Sequence, residues 1–242
     1  MLACLWLTIG TAEAEFVGLN IGAHTSQTAN TLNRDSSRSF DLVDDLNVNN
    51  PSQTSMVLIL EHPISVLPNI RYQGYNLYSS ESSEVSLESS NNDSEAIAGK
   101  TTTTGFDLNH EDIVLYYQLL NNWVDLDMGV DLKRFDGEVS LAGTTGSSID
   151  VDETIPLLYL SARIELPVNG LYVGADINAN VIDLGLSQST AQDSTILLGY
   201  ESGTGLGVEG GIKSFSVELN DSDSLNTNLE YDGLFLNGYF NF

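Results

Sequence analysis

Eleven charged side chains stand where a strand would present its polar face: Glu61, Arg71, Asp125, Asp127, Asp131, Lys133, Arg163, Glu165, Asp176, Glu209 and Lys213. Seven of them are acidic and four basic. Enclosed together, they form ion pairs and hydrogen bonds, because charge removed from water must be paired. With water between them, the acidic excess lines a thin channel that favours cations. General acid–base catalysis is a third option, since His110 and Asp112 share a face of one strand. No nucleophile or second acid joins that pair; His62 precedes Pro63 in a short turn, and His24 stands alone. No phosphate loop, nucleophile elbow or metal-ligand spacing occurs. The expectation is therefore no catalytic residue, no metal site and no cofactor. Glu81, Glu84, Glu88, Asp93 and Glu95, opposed by Lys100, offer oxygen ligands to divalent cations, but without EF-hand spacing. That run reads best as a solvated surface.

The elements that position these groups alternate with period two. Val124, Leu126, Met128, Val130 and Leu132 oppose Asp125, Asp127, Gly129, Asp131 and Lys133. Leu158, Leu160, Ala162, Ile164 and Leu166 oppose Tyr159, Ser161, Arg163 and Glu165, and Leu171, Val173, Ala175, Ile177 and Ala179 oppose Gly174, Asp176, Asn178 and Asn180. Strands with one apolar and one polar face are expected. The runs are long for a soluble sandwich and suit the ~9–11 tilted residues that cross a bilayer. Ten strands are expected near 15–24, 54–62, 69–79, 103–120, 123–141, 153–166, 171–184, 193–201, 205–219 and 227–242. Their connections alternate between short turns and longer polar loops near 25–53, 80–102, 142–152, 185–192 and 220–226. A transmembrane barrel sorts its connections this way, with short turns in the periplasm and long loops outside. The fold expected is a single antiparallel up-and-down β-barrel of ten strands, with eight as the alternative. Pro156 inside a strand calls for a bulge or a late strand start, and slips of face near Gly74 and Ser214 call for bulges or a different register. Within the first loop, Leu42 and Leu46 give 40–46 the spacing of a short amphipathic helix. Tyr72, Tyr78, Tyr117, Trp123, Tyr172, Tyr200 and Phe240 read as interfacial girdle residues.

Composition excludes other classes. The 242-residue chain carries 34 acidic residues against 8 Lys and Arg, a net charge of −26. Nucleic acid is no partner for it, because phosphate binding needs clustered basic groups. Hydrophobic residues make up 41 %, too many for a disordered acidic chain. The segment 1–14 reads as a signal-peptide remnant: an apolar run from Leu2 to Ile9 precedes Ala12-Glu13-Ala14, an A-x-A-like cleavage site. No basic n-region precedes it, which fits a start upstream of Met1. Cys4, the single cysteine, lies inside it. Beyond it no stretch approaches the ~20 apolar residues of a membrane helix, so export leads to the periplasm or to an outer-membrane barrel at 15–242. Alternation favours the barrel and makes outer-membrane lipid its surroundings.

The final strand closes the argument. Leu234, Leu236, Phe240 and Phe242 alternate with Asn237, Tyr239 and Asn241. The apolar set is expected to face lipid, its aromatic end at the periplasmic interface. A terminal Phe behind alternating apolar positions resembles the barrel-insertion signal read by the assembly machinery of outer-membrane proteins. The mature chain as a whole resembles a family of small uncharacterised Gram-negative outer-membrane β-barrel proteins. The likeness rests on Glu61-His62-Pro63 with Leu67-Pro68-Asn69, and on Leu108-Asn109-His110-Glu111-Asp112 leading into Leu115-Tyr116-Tyr117. Asn122-Trp123-Val124-Asp125-Leu126-Asp127, Arg134-Phe135-Asp136-Gly137-Glu138-Val139 and Gly170-Leu171-Tyr172-Val173-Gly174-Ala175-Asp176 continue it to the closing strand. The resemblance implies an outer-membrane location and barrel fold and supplies no catalytic residues. A structural or surface-interaction role through the acidic loops is the first functional expectation, a narrow cation-preferring channel the second, a rim hydrolase the third.

Overall fold

Alternating sequences bury one face only if the sheet curls on itself or packs on a second layer. Here the sheet curls. The computed structural model describes residues 18–34, 38–41, 52–84, 101–142, 147–180, 189–221 and 225–241. These form β1 (Gly18–Arg34), β2 (Arg38–Asp41), β3 (Ser52–Leu60), β4 (Asn69–Glu84), β5 (Thr101–Asn121) and β6 (Val124–Ala142). There follow β7 (Ser147–Glu165), β8 (Leu171–Ala179), β9 (Thr190–Glu201), β10 (Leu206–Asp221) and β11 (Leu225–Asn241). Each strand from β3 to β11 pairs antiparallel with its sequence neighbour, and β1 pairs with both β3 and β11. The β1–β11 ladder runs from Gly18 opposite Asn241 to Arg34 opposite Leu225, so the sheet has no free edge along that line.

The described strands number eleven, where ten or eight were expected. The additional one is β2, which pairs only with the last four residues of β1, along the same edge that β3 occupies lower down. Several strands also run further than their alternation indicated. β4 continues to Glu84, opposite Thr101 of β5, through polar residues expected to be loop. The candidate leader, the 40–46 helix beyond Asp41, most of the acidic run and Phe242 lie outside the described residues.

The outer face is apolar in a belt with a polar upper border. Along that border Thr54 pairs with Asn76, Glu111 with Arg134, Arg134 with Thr154, and Ser214 with both Ser194 and Asp232. One outward position lower the residues are Met56, Ile113, Leu132, Ile196, Ile212 and Leu234, all exposed. Exposed apolar side chains in such numbers fit lipid, not water. On β5 the apolar stretch is bounded by Glu111 and Asn121. Ten residues rising ~3.3 Å each at a ~40° tilt span roughly 25 Å, the height of a membrane barrel's apolar band. No helix among the described residues is long and apolar enough to cross a membrane.

The short turns are stitched to their neighbours. Glu201 N–H donates to Gly170 O at 2.7 Å, and Asn241 N–H to Gly205 O at 2.9 Å. Both glycines adopt φ +80°, and an added Cβ would lie 2.1 Å from Glu201 O and 2.2 Å from Asn241 O. Glycine is required there twice over, by conformation and by close approach. In turn 61–68, His62 Nε2 lies 3.1 Å from Pro68 O, and Ile64 N–H donates to His62 Nδ1 at 3.2 Å. That histidine is thus a turn brace. Ile64, Val66, Leu67 and Trp123 are exposed on these turns and extend the apolar surface at this end.

Three local expectations are corrected. Gly74 and Ser214 sit in unshifted register, although the ladder to β5 skips Asn76 and Leu77 just beyond Gly74, and the register shift among the described pairings lies between Gln118 and Leu120. Pro156 stays within β7, opposite Leu132, with no register shift in the ladder to β6. Tyr172 points into the barrel, buried, rather than to the lipid interface.

Candidate functional site: the barrel lumen

Inward positions of every strand whose side chains are described converge on one interior. At its deepest level β5 supplies His110, Asp112 and Val114, and β6 supplies Asp131, Lys133 and Phe135. Lys133 and Asp112 are both 0 % exposed, and Lys133 Nζ donates to both carboxylate oxygens of Asp112 at 2.7 Å. Asp193 of β9 lies 4.0 Å from Lys133 and 2.9 Å from Lys213 of β10. Lys213 Nζ also donates to the Tyr75 hydroxyl at 2.8 Å and lies 4.1 Å from that ring's centroid. The network therefore joins β4, β5, β6, β9 and β10 across the barrel. Hydrogen bonds and aromatic faces offset the cost of holding two ammonium groups away from water.

Rings fill the space around the charges. His110 stacks on Tyr75 at 4.4 Å and on Phe215 at 5.4 Å, with Phe135 at 5.3 Å. Below this level Arg71 donates to the Tyr159 hydroxyl at 3.2 Å, and Ser161 to Asp176 at 2.5 Å. Tyr116 donates to Glu61 at 2.7 Å. At the turn end the Arg163 guanidinium sits 3.6 Å from the Tyr172 ring centroid and 3.5 Å from Glu201. Tyr239 and Asn241 donate to the same Glu201 oxygen, while Tyr172 and Asn237 donate to Glu209. At Gly129 a Cβ would stand 2.2 Å from Leu115 O, so glycine there lets β6 approach β5 closely.

Ten of the eleven charged residues singled out in the sequence occur at buried or half-buried inward positions; Glu165, at the turn end of β7, is exposed. Asp131, Lys133 and Lys213 lie deepest. Asp112, Asp193 and Glu201 belong to the same networks and were not among the eleven. Asp193 and Glu201 alternate with Ile196, Leu198 and Tyr200 along β9, so parity marks them as inward; the acid after a polar loop obscured it. His110 and Asp112 share a face, as expected, but that face is enclosed, with His110 between rings and Asp112 held by Lys133. Of the closing set, Leu234, Leu236 and Phe240 are exposed on the outer face, and Phe242 lies outside the described residues. Among the described residues no three His, Cys, Asp or Glu side chains converge as a metal-ligand set.

No family model and no curated protein sequence matches the chain. Solved structures do. The outer-membrane protease OmpT from Escherichia coli superposes with a TM-score of 0.51 at 14 % identity, over 96 % of this chain and 98 % of that one. The translocator domain of autotransporter NalP from Neisseria meningitidis gives 0.42 at 10 % identity, over 93 % and 88 % of the two chains. Ail, the attachment invasion locus protein of Yersinia pestis, gives 0.39 at 10 % identity, over 93 % and 99 %. A likeness to OmpT at 14 % identity shows the fold and no activity. The likeness to OmpT, an outer-membrane protease, shows the β-barrel fold, and the apolar belt fits that barrel to a membrane.

Proposed function

We propose that the protein is an integral membrane barrel of ten spanning strands whose filled lumen serves stability, and whose role is exercised through its outer surface and loops. On this reading β2 and β3 together make one edge of the ring. The observation that carries the proposal is the cross-lumen layer in which Lys133, Phe135, Ile155, His110, Val114 and Val217 are all under 2 % exposed. Among the described residues a layer so closed offers no continuous water path, and Lys133 and Lys213 are paired within it as structural ion pairs are. The same enclosure counts against catalysis at His110 and Asp112, which no substrate reaches. The acidic loops then meet the outside, with divalent cations as candidate partners, and Leu234, Leu236, Phe240 and Phe242 serve as the insertion signal for the assembly machinery.

Conductance tests the proposal. Purified refolded protein in planar bilayers is expected to give no steady single-channel current, and steady current would favour the narrow-channel alternative. Turnover of peptide or lipid A that vanishes in His110→Ala would favour the rim hydrolase.

A further inference from the structure

The deep layer holds three carboxylates, Asp112, Asp131 and Asp193, against two ammonium groups, Lys133 and Lys213. Lys133 is committed to Asp112, and Lys213 to Asp193. Asp131 is 0 % exposed, and neither of its oxygens has a hydrogen-bond partner. Its charged neighbours are Asp112, Lys133, Asp193 and Arg71, so it is an acid set among other acids and their cations. A buried carboxyl group without a hydrogen-bond partner is expensive to ionise unless a proton or another cation neutralises it.

Lys213 and Asp193 also form part of the wall of a cavity of about 40 Å³, with Asp176, Glu209 and Arg71. At ~10–15 Å³ per water this chamber holds a few waters. Asn178 and Asn237 line it, and each has a buried amide oxygen without a partner. The lumen thus contains a train of oxygen-rich positions, two of them already taken by ammonium groups on the protein's own side chains. An ammonium group and an alkali ion ask the same of a site, several oxygens at close range. No convergent set of three carboxylate or imidazole ligands occurs among the described residues, so a tightly held divalent ion is not what this train suits.

We propose that the lumen is a monovalent-cation path locked by tethered ammonium groups, Lys133 and Lys213 occupying positions that a free cation takes once they are removed. The proposal goes beyond the filled-lumen reading, which it accepts for the native protein, by assigning the filling a ligand class and a key.

The test is Lys133→Met/Lys213→Met, which removes both charges and shortens each side chain only by its terminal ammonium position, with folding checked by heat-modifiable gel mobility. In planar bilayers under a KCl gradient the double variant is expected to show current steps, where the native protein shows none. Its reversal potential should shift toward that of K⁺, and adding Asp131→Asn should reduce both current and selectivity. A folded double variant that stays silent, or that passes K⁺ and Cl⁻ alike, overturns the proposal and leaves the filled-lumen reading standing. If the double variant does not fold, Lys213→Met alone, at the cavity wall, is read by the same two criteria. Steady current in the native protein would overturn the filled-lumen reading itself, and the lock with it.

Discussion

Lys133→Ala is expected to lower the stability of the folded barrel by about 3–5 kcal/mol, the cost of stranding a buried carboxylate. Asp112 is fully buried, and both of its oxygens lie 2.7 Å from Lys133 Nζ. Water does not reach the site to replace the lost donor, and the next cation, Lys213, is already committed to Asp193. Removing both charges at once should behave differently. Lys133→Met with Asp112→Leu leaves no charge stranded in that pair and is expected to recover most of the loss. Urea unfolding in lipid vesicles measures both variants. A single variant within about 1 kcal/mol of the native protein would mean a pair as weak as a solvated one, and the deep layer would then not be closed.

The second large effect lies on the opposite face. Leu115→Arg places a cation in the middle of the apolar band and is expected to cost about 2–4 kcal/mol in the same assay. Thr54→Arg, at the polar border where Thr54 faces Asn76, should cost about 0–1 kcal/mol. The contrast carries the meaning, because a soluble protein has no depth axis along which the same substitution changes in cost. Equal effects at the two positions would remove the bilayer from the explanation.

Much of this architecture was legible because period two is a strong signal where one face meets lipid. The β6 run from Val124 to Lys133 and the β7 run from Leu158 to Ile164 sort inward and outward as their sequences alternate. Legibility fell where chemistry and parity disagreed. Tyr172 stands on the inward parity of β8, with Asp176 and Asn178, yet its type suggested an interfacial girdle; parity was the better guide, and its hydroxyl meets Glu209 and Tyr239. Ile155 and Leu157 are inward, apolar and buried, so the lumen is partly a hydrophobic core, which no polar-face reading of a barrel reveals. The far ends of β4 and β5 are rich in Ser and Thr and carry no alternation, because above the band neither face is apolar. The pairing of Lys133 with Asp112 rather than with Asp131 depends on which strands the curl brings together, and one strand's sequence does not contain that.

A cysteine scan along β5 distinguishes a lipid-embedded barrel with a filled interior from a water-filled or soluble one. In a Cys4→Ser background, single cysteines replace Ile113, Val114, Leu115, Tyr116 and Tyr117 in turn, in protein reconstituted into lipid vesicles. Val114 and Tyr116 are buried at 1 % and 2 % exposure, whereas Ile113, Leu115 and Tyr117 are exposed at 43–45 %. Positions 113, 115 and 117 are expected to react only with a lipid-partitioning maleimide, and 114 and 116 with neither that reagent nor a water-soluble one. Water-soluble labelling at 114 and 116 would contradict the filled lumen, and water-soluble labelling at 113, 115 and 117 would contradict the membrane.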